Sequence, residues 1–275
     1  MSNVDHRVVD DFGAEWTRFD QTRLDDDERA RIFDAYFRVF PWERLPADAV
    51  GFDLGAGTGR WAKQVAPRVG RLHVVEPSAA IDVARRMLAD APNVELHQRT
   101  VDELPFEDGS MDFGYSLGVL HHIPDTTAAL RACVRKLKPG APFLVYLYYA
   151  FDNRPRWFRS LWRASDLARR GISRLPHRAK HFVSEAIAGT VYLPLARTAR
   201  LLERVGADVS AFPLSAYRHH SFYTMRTDAL DRFGTRLEQR FTADEIRALM
   251  RGAGLVDVEV SPTEPFWCAV GYKAR

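Results

Sequence analysis

Three clusters of residues in this chain have types and spacings that could do chemistry. The first is Asp53-Leu54-Gly55-Ala56-Gly57-Thr58-Gly59, a glycine-rich stretch directly after the short apolar run Val50-Gly51-Phe52. A glycine-rich turn between a strand and a helix lets the backbone come close to a nucleotide or nucleoside ligand, because no Cβ stands in the way. The dinucleotide fingerprint needs glycine at the first, third and sixth positions, and the sixth position counted from Gly55 is Arg60. That pattern fails. The second cluster is the pair His121-His122 and the third is Tyr217-Arg218-His219-His220-Ser221-Phe222-Tyr223. Histidine changes its charge near neutral pH, so either cluster could accept a proton from a bound reactant. Satisfied structural histidines are common, and a tight turn can bind nothing, so each cluster also has a purely structural reading.

The elements that must position these residues follow from periodicity. Strands are predicted at Val50–Leu54, Leu72–Val75, Asn93–His97, Met111–Ser116 and Phe143–Tyr148. Helical patterns lie between them through Trp61, Val65 and Ala66, over Ile81–Leu88, and over Thr127–Leu137. Strands alternating with helices predict an α/β fold with a mostly parallel sheet covered on both faces. From about residue 150 to 241 the rhythm changes to long helical patterns, one carrying Trp157, Leu161, Trp162 and Leu167 and a second over Ile187–Leu202. Thr242-Ala243-Asp244-Glu245 starts a further helix with a capping threonine, and two strands, Leu255–Val260 and Phe266–Tyr272, complete a seven-stranded sheet. The expected division is an N-terminal lid over 1–45, a core over 46–149, a helical cap inserted at 150–241, and the last helix and strands at 242–275.

The segment Asp53 to Gly59 resembles the first motif of the class I S-adenosylmethionine-dependent methyltransferases, a Rossmann-like family. The resemblance continues through Glu76-Pro77, Thr100-Val101-Asp102-Glu103-Leu104-Pro105-Phe106, Ser116-Leu117-Gly118-Val119-Leu120-His121-His122-Ile123-Pro124-Asp125 and Leu137-Lys138-Pro139-Gly140. Together these cover Val50 to Tyr148 in order. The resemblance implies that Gly55, Ala56, Gly57 and Gly59 bring backbone to the methionine and ribose parts of S-adenosylmethionine, with Asp53 near its amino group. Glu76, followed by Pro77, would hold both ribose hydroxyls, a task for a carboxylate because it accepts hydrogen bonds and donates none. Thr100, Val101 and Asp102 would line the adenine. Many relatives place aspartate where Thr100 stands, so Val101 or Asp102 is expected to substitute. Leu117 and His122 would lie at the exit of the fourth strand. The lead-in Phe12-Gly13-Ala14-Glu15-Trp16-Thr17-Arg18-Phe19 resembles a segment that folds over the cofactor in bacterial relatives, with Trp16 on its edge.

In that family the cofactor supplies the activated methyl group and the protein aligns the acceptor and, for oxygen or nitrogen, removes a proton. His121 and His122 fall where ligands bind in such sheets, beyond the carboxyl ends of the strands. One is expected to face the site and the other to pack, His122 being preferred for the site. His219, His220 and Tyr223 are further candidates for substrate contact or base. The expected acceptor is a small molecule, such as a secondary-metabolite or sugar intermediate. Quinone- or lipid-type carbon methylation at a membrane surface, or a module that binds the cofactor without catalysis, are the alternatives. No Asn-Pro-Pro-aromatic or Asp-Pro-Pro-aromatic motif follows the fourth strand, so nucleic acid is not expected. A formal charge of +3 agrees with that. No metal-ligand spacing is visible, and no metal is expected.

Two cysteines, Cys133 and Cys268, fall in apolar elements and are read as buried free thiols. No signal-like or membrane-spanning run is seen, so a cytoplasmic monomer or homodimer is expected. The arginine- and tryptophan-rich stretch 154–180 could rest on a membrane, bind an anion, or simply pack as a cap.

Overall fold

A computed structural model describes residues 3–275 of the chain. They fall into two compact units: one of residues up to 21, 30–150 and 237–275, the other of 22–29 and 151–236.

The first unit holds a seven-stranded sheet. Its strands are β1 (Val50–Leu54), β2 (Arg71–Val75), β3 (Val94–His97), β4 (Phe113–Leu117), β5 (Pro142–Tyr146), β6 (Leu255–Val260) and β7 (Cys268–Lys273). Their order is β3-β2-β1-β4-β5-β7-β6, and β7 alone runs opposite to the other six. The central strands are buried on both faces, which is why β1 and β4 read as continuous apolar runs instead of alternating ones. On one face Phe52, Leu54, Phe143 and Val145 meet α5 (Thr126–Lys136) and α10 (Ala243–Gly252). On the other, Leu72, Val74, Phe113 and Tyr115 meet Phe33 and Phe37, α3 (Ala62–Val65) and α4 (Ile81–Met87).

Pairing between β1 and β4 depends on two glycine–phenylalanine exchanges. Gly51 lies opposite Phe113 and Phe52 opposite Gly114. A Cβ on Gly51 would stand 2.2 Å from the Phe113 ring, and one on Gly114 2.5 Å from that of Phe52. Each glycine thus makes room for the ring across from it. Helix ends follow their sequence signals. Asp125 caps α5 by accepting from the Ala128 amide, and Thr242 with Glu245 forms a reciprocal capping box on α10.

β1 and β6 keep their expected limits, and the other strands shift by one or two residues. β4 begins at Phe113 instead of Met111, whose backbone makes only an isolated bridge to Leu137. β5 ends at Tyr146, and β7 begins at Cys268. The segment between β3 and β4 and the polypeptide after β5 leave the sheet where their backbone bonds turn to loops.

The second unit is helical: α6 (Arg156–Ile172), α7 (His177–Ile187), α8 (Leu193–Arg204) and α9 (Phe222–Gly234). Its own core joins Ala188, Tyr192, Ala196, Met225, Ala229 and Phe233. The helix expected to start at Ile187 instead begins at His177 and continues through a wide π-turn, Ala188–Tyr192, into α8. Pro194, near the start of α8, has no amide hydrogen and crowds the carbonyl four residues earlier, which is where the widened turn falls.

Candidate active site

The glycine loop leaves β1 with Gly55, Gly57 and Gly59 all at positive φ, 74°, 55° and 77°. Residues with a Cβ rarely adopt this conformation. A Cβ on Gly55 would stand 2.4 Å from the Val119 side chain, so substitution there meets a wall as well as strain. The loop is fastened to the end of β2, where the Gly55 and Ala56 amides both donate to the Val75 carbonyl, at 2.8 and 3.2 Å.

Glu76, the next residue, is buried and ties the loop further. Its Oε2 accepts from the Gly57 amide at 2.9 Å, while Oε1 accepts from the amide and hydroxyl of Ser78 at 2.9 and 2.5 Å. A carboxylate offers about four acceptor positions, so one stays open beside these three bonds. Pro77 is half-buried between Glu76 and Ser78.

Asp53 is buried at the end of β1, opposite Tyr115 on β4. Burial pushes its carboxyl up to about 8, the Tyr115 hydroxyl lowers it in part, and the charge of Glu76 raises it. The Tyr115 hydroxyl is itself pushed well up by burial and by Asp53.

Helix α1 (His6–Arg18), capped by Asp5, packs on this loop. The Trp16 indole lies 3.3 Å from where a Gly57 Cβ would stand, and Gly13 lies against Ser78 and Ala79 in the same way. Phe12 meets the His122 ring at 4.9 Å. Arg60 lies over Trp16 at 5.4 Å and over Trp61 at 4.3 Å. Ahead of the helix, the Asn3 amide donates to Asp102 and its side chain exchanges hydrogen bonds with the Asp125 backbone.

The segment after β3 is organised locally. Thr100 and Glu103 form a capping box around a short turn over Val101–Glu103, so the Thr100 hydroxyl is directed to the Glu103 carboxylate. Val101 is buried, and Asp102, though exposed, holds Asn3.

At the exit of β4, Leu117 is buried and Gly118 has φ 79°. Its absent Cβ would have only the Tyr146 ring within reach, at 4.0 Å. His121 and His122 follow on a short turn and are both buried. His121 stacks on Tyr148, with ring centroids 3.9 Å apart, and neither ring nitrogen has a hydrogen-bond partner. Burial first, then His122 and Arg240, hold its pKa well below the ordinary histidine value, so this ring is neutral. His122 differs. Its Nδ1 lies 2.6 Å from the Leu237 carbonyl. A carbonyl only accepts, so Nδ1 carries the hydrogen, and in the neutral ring Nε2 is the basic nitrogen.

The strand of chain that fixes this tautomer, residues 237–241, was not visible as functional in the sequence. Gln239 binds the His121 carbonyl through its amide and the Ile123 carbonyl through its side chain. Arg240 lies over the Tyr148 ring at 5.1 Å. These contacts span 92 to 118 residues of sequence, beyond any local motif.

His219, His220 and Tyr223 belong to the second unit. His219 is exposed, with Nε2 2.8 Å from Glu203, which also binds Arg218. His220 Nδ1 lies 3.5 Å from Glu28, a buried carboxylate that also receives the Ser221 amide and the Thr224 hydroxyl. The half-buried Tyr223 offers its carbonyl to Thr227. In the first unit the geometry therefore brings together the glycine loop, Glu76, Trp16 and the His121–His122 pair.

Residues 52–145 match the family described as "Methyltransferase domain". The chain is 26% identical over 185 residues to a ubiquinone biosynthesis O-methyltransferase of Xanthomonas oryzae pv. oryzae, covering 60% of this chain and 76% of that protein. It is 29% identical over 153 residues to a ubiquinone/menaquinone biosynthesis C-methyltransferase of Idiomarina loihiensis, covering 46% of this chain and 61% of that one. Among solved structures it resembles an O-methyltransferase family protein from Burkholderia thailandensis, with a TM-score of 0.50, 16% identity, and coverage of 94% of this chain and 62% of the other. The last likeness concerns the fold, and the family match over residues 52–145 spans the glycine loop, Glu76 and the His121–His122 turn. With the seven-stranded topology and the family match in agreement, this chain is a class I S-adenosylmethionine-dependent methyltransferase.

Proposed function

We propose that the enzyme transfers a methyl group to an oxygen or nitrogen of a small-molecule acceptor, with His122 as the base. The observation that carries this reading is the bond between His122 Nδ1 and the Leu237 carbonyl. It holds the ring in the tautomer whose Nε2 can take a proton, at the carboxyl end of β4 where ligands bind in such sheets. His121, neutral and stacked on Tyr148, supports the ring from behind. The O-methyltransferase among the relatives favours oxygen as the acceptor atom.

The bound cofactor supplies a sulfonium-activated methyl group. The chain's own residues bind, orient and exclude water. The three glycines at positive φ give the loop its path, since a Cβ on Gly55, Gly57 or Gly59 would press on Val119, Trp16 or Leu88. Glu76 is the ribose carboxylate in this reading. The Ser78 hydroxyl occupies on Oε1 the place a second ribose hydroxyl would need, and it must turn aside. Asp53 answers the cofactor's amino group, buried Val101 is the adenine-side wall, and Pro77 and Leu117 complete the margin. Thr100 and Asp102 act through the turn they stabilise and its tie to Asn3. His219, His220 and Tyr223 remain candidates for acceptor contact, and a cytoplasmic setting suits two buried free thiols, Cys133 and Cys268.

Calorimetric titration with S-adenosylmethionine and S-adenosylhomocysteine, alongside Glu76→Ala and Gly57→Val, tests the cofactor site. Release of S-adenosylhomocysteine with a panel of phenols and amines then tests His122→Gln. The expected result is a kcat lowered by about 10²–10⁴-fold with cofactor affinity retained. Unchanged kcat in His122→Gln would remove it as the base.

A second reading, a lipid-type acceptor at a membrane surface, is favoured by the second unit. Trp157, Leu161, Leu167 and Phe182 are 54%, 52%, 70% and 76% exposed, and Arg156, Arg163, Arg170, Arg174 and Arg178 are exposed on the same helices and the turn between them. Such a mixture suits an interface with anionic lipid. No helix among the described residues is long and apolar enough to cross a membrane, so only surface contact is in question. Co-sedimentation with phosphatidylglycerol vesicles, lost in Trp157→Ala/Phe182→Ala, would support it; no sedimentation at low salt would exclude it.

A further inference from the structure

Edge strand β3 carries Glu95 and His97 two residues apart, so both side chains lie on one face. Parallel pairing sets His73 of β2 directly beside Glu95 and Val75 beside His97. The register therefore gathers two imidazoles and a carboxylate that are separated by 22 and 24 residues in sequence. No spacing rule would link them.

The His73 Nδ1 and His97 Nε2 atoms are 3.0 Å apart. One Glu95 oxygen lies 3.5 Å from the first, and the other 3.7 Å from the second. All three donors fall within 4.8 Å of one another. Two ligands each about 2.1 Å from a tetrahedral zinc ion are separated by about 3.4 Å, so these distances are those of one shared ion. From these residues we infer that His73, Glu95 and His97 form a binding site for a divalent transition-metal ion. The ion would pin edge strand β3 to β2.

The surroundings fit such a site. The two histidine side chains are 13% and 15% exposed, whereas Glu95 is 55% exposed, so the pair is sheltered and the carboxylate lies on its solvent side. Phe106 packs on both rings, at 5.3 and 6.2 Å, and walls the apolar side. Burial foremost, against the opposing pull of Glu95, holds both imidazoles below their ordinary pKa. Both are then neutral at pH 7, the state that ligates. Two nitrogens and one carboxylate suit Zn²⁺, Co²⁺ or Ni²⁺ better than Mg²⁺ or Ca²⁺, and three protein donors leave a position for water or another ligand. Without an ion, one ring donates to the other and Glu95 adds charge at a distance. That simpler arrangement is the rival.

Metal-stripped full-length protein, titrated with Co²⁺ and followed by its visible ligand-field absorption, separates the two. Binding of one equivalent per chain is expected, displaced by Zn²⁺, with Tm rising by about 5 °C at a hundredfold excess over Kd. His97→Ala should weaken Co²⁺ binding by roughly 100-fold and the exposed, conservative Glu95→Gln by roughly tenfold. His177→Ala is the control, because His177 and His181 pair their Nε2 atoms at 2.9 Å on α7 and could hold an ion of their own. Circular dichroism establishes that each variant is folded. Absence of a Co²⁺ spectrum in the folded wild type would overturn the inference. So would a spectrum unchanged by Glu95→Gln and His97→Ala but lost in His177→Ala. Neither result bears on cofactor binding at the glycine loop.

Discussion

A buried carboxyl such as Asp53 makes folding and cofactor binding depend on pH in a defined direction. The folded protein keeps this proton up to about pH 8, whereas the unfolded chain loses it near the ordinary aspartate value. Between those limits the native state binds more protons, so its stability is greatest at the acid end and falls as pH rises. The slope from this one group is at most about 1.4 kcal/mol per pH unit. Asp53→Asn should flatten that part of the stability curve, measured by urea unfolding at pH 5, 6, 7 and 8. If the cofactor's ammonium group approaches Asp53, binding at pH 7 should also expel up to about one proton, and calorimetry in two buffers of different ionisation heat reads it directly. An equal release from Asp53→Asn would place the proton elsewhere. At this scale the placement of the motif residues was legible because it rests on local backbone: three glycines, one carboxylate after β2, a histidine pair after β4. The Leu237 carbonyl that chooses the His122 tautomer was not, since 115 residues separate them and a carbonyl has no residue signature.

Among the elements, α1 lies outside the sheet yet packs on the loop. Its Phe12, Gly13 and Trp16 meet His122, Ser78 and Gly57, one helical face touching three separate strand exits. The tie of Asn3 to Asp102 and Asp125 anchors the chain just before it. Trp16→Ala removes the indole over Gly57 without touching the two cores of the sheet, neither of which includes Trp16. Cofactor affinity should fall by about tenfold, consistent with losing one aromatic contact, while Tm changes little. A large drop in Tm with unchanged affinity would make α1 a packing element only. The sheet was legible as elements because alternation of strand and helix repeats along 50–148. The edges of strands were less so: Met111 and Phe266 have strand-like side chains, but their backbones lack a continuous ladder. The π-turn before Pro194 was hidden for a related reason, as an apolar helical pattern carries no mark of an extra residue in one turn.

For the whole molecule, the two cores of the sheet and the core of the helical insertion share no residue. Residues 151–236 contribute nothing to either sheet core, even though they interrupt the chain between β5 and α10. The ends of the interruption are close, because the Ala150 amide donates to the Phe241 carbonyl at 2.9 Å and Tyr149 bridges Phe241. A short flexible linker can therefore replace 151–236 at little entropic cost, loop closure growing only slowly with length. The shortened protein should fold cooperatively and bind S-adenosylhomocysteine within about tenfold of the full chain, since Gly55, Gly57, Glu76 and Trp16 all remain. Methyl transfer should be lost if the insertion carries the acceptor contacts proposed for His219, His220 and Tyr223. Transfer that survives would put acceptor recognition in the first unit instead, on the aromatic group of Tyr36, Tyr146 and Tyr148 near Gly118. Loss of cofactor binding together with folding would mean that the sheet needs the insertion despite their separate cores. Measuring both properties on one deletion thus distinguishes an insertion that chooses the acceptor from one that merely completes the fold.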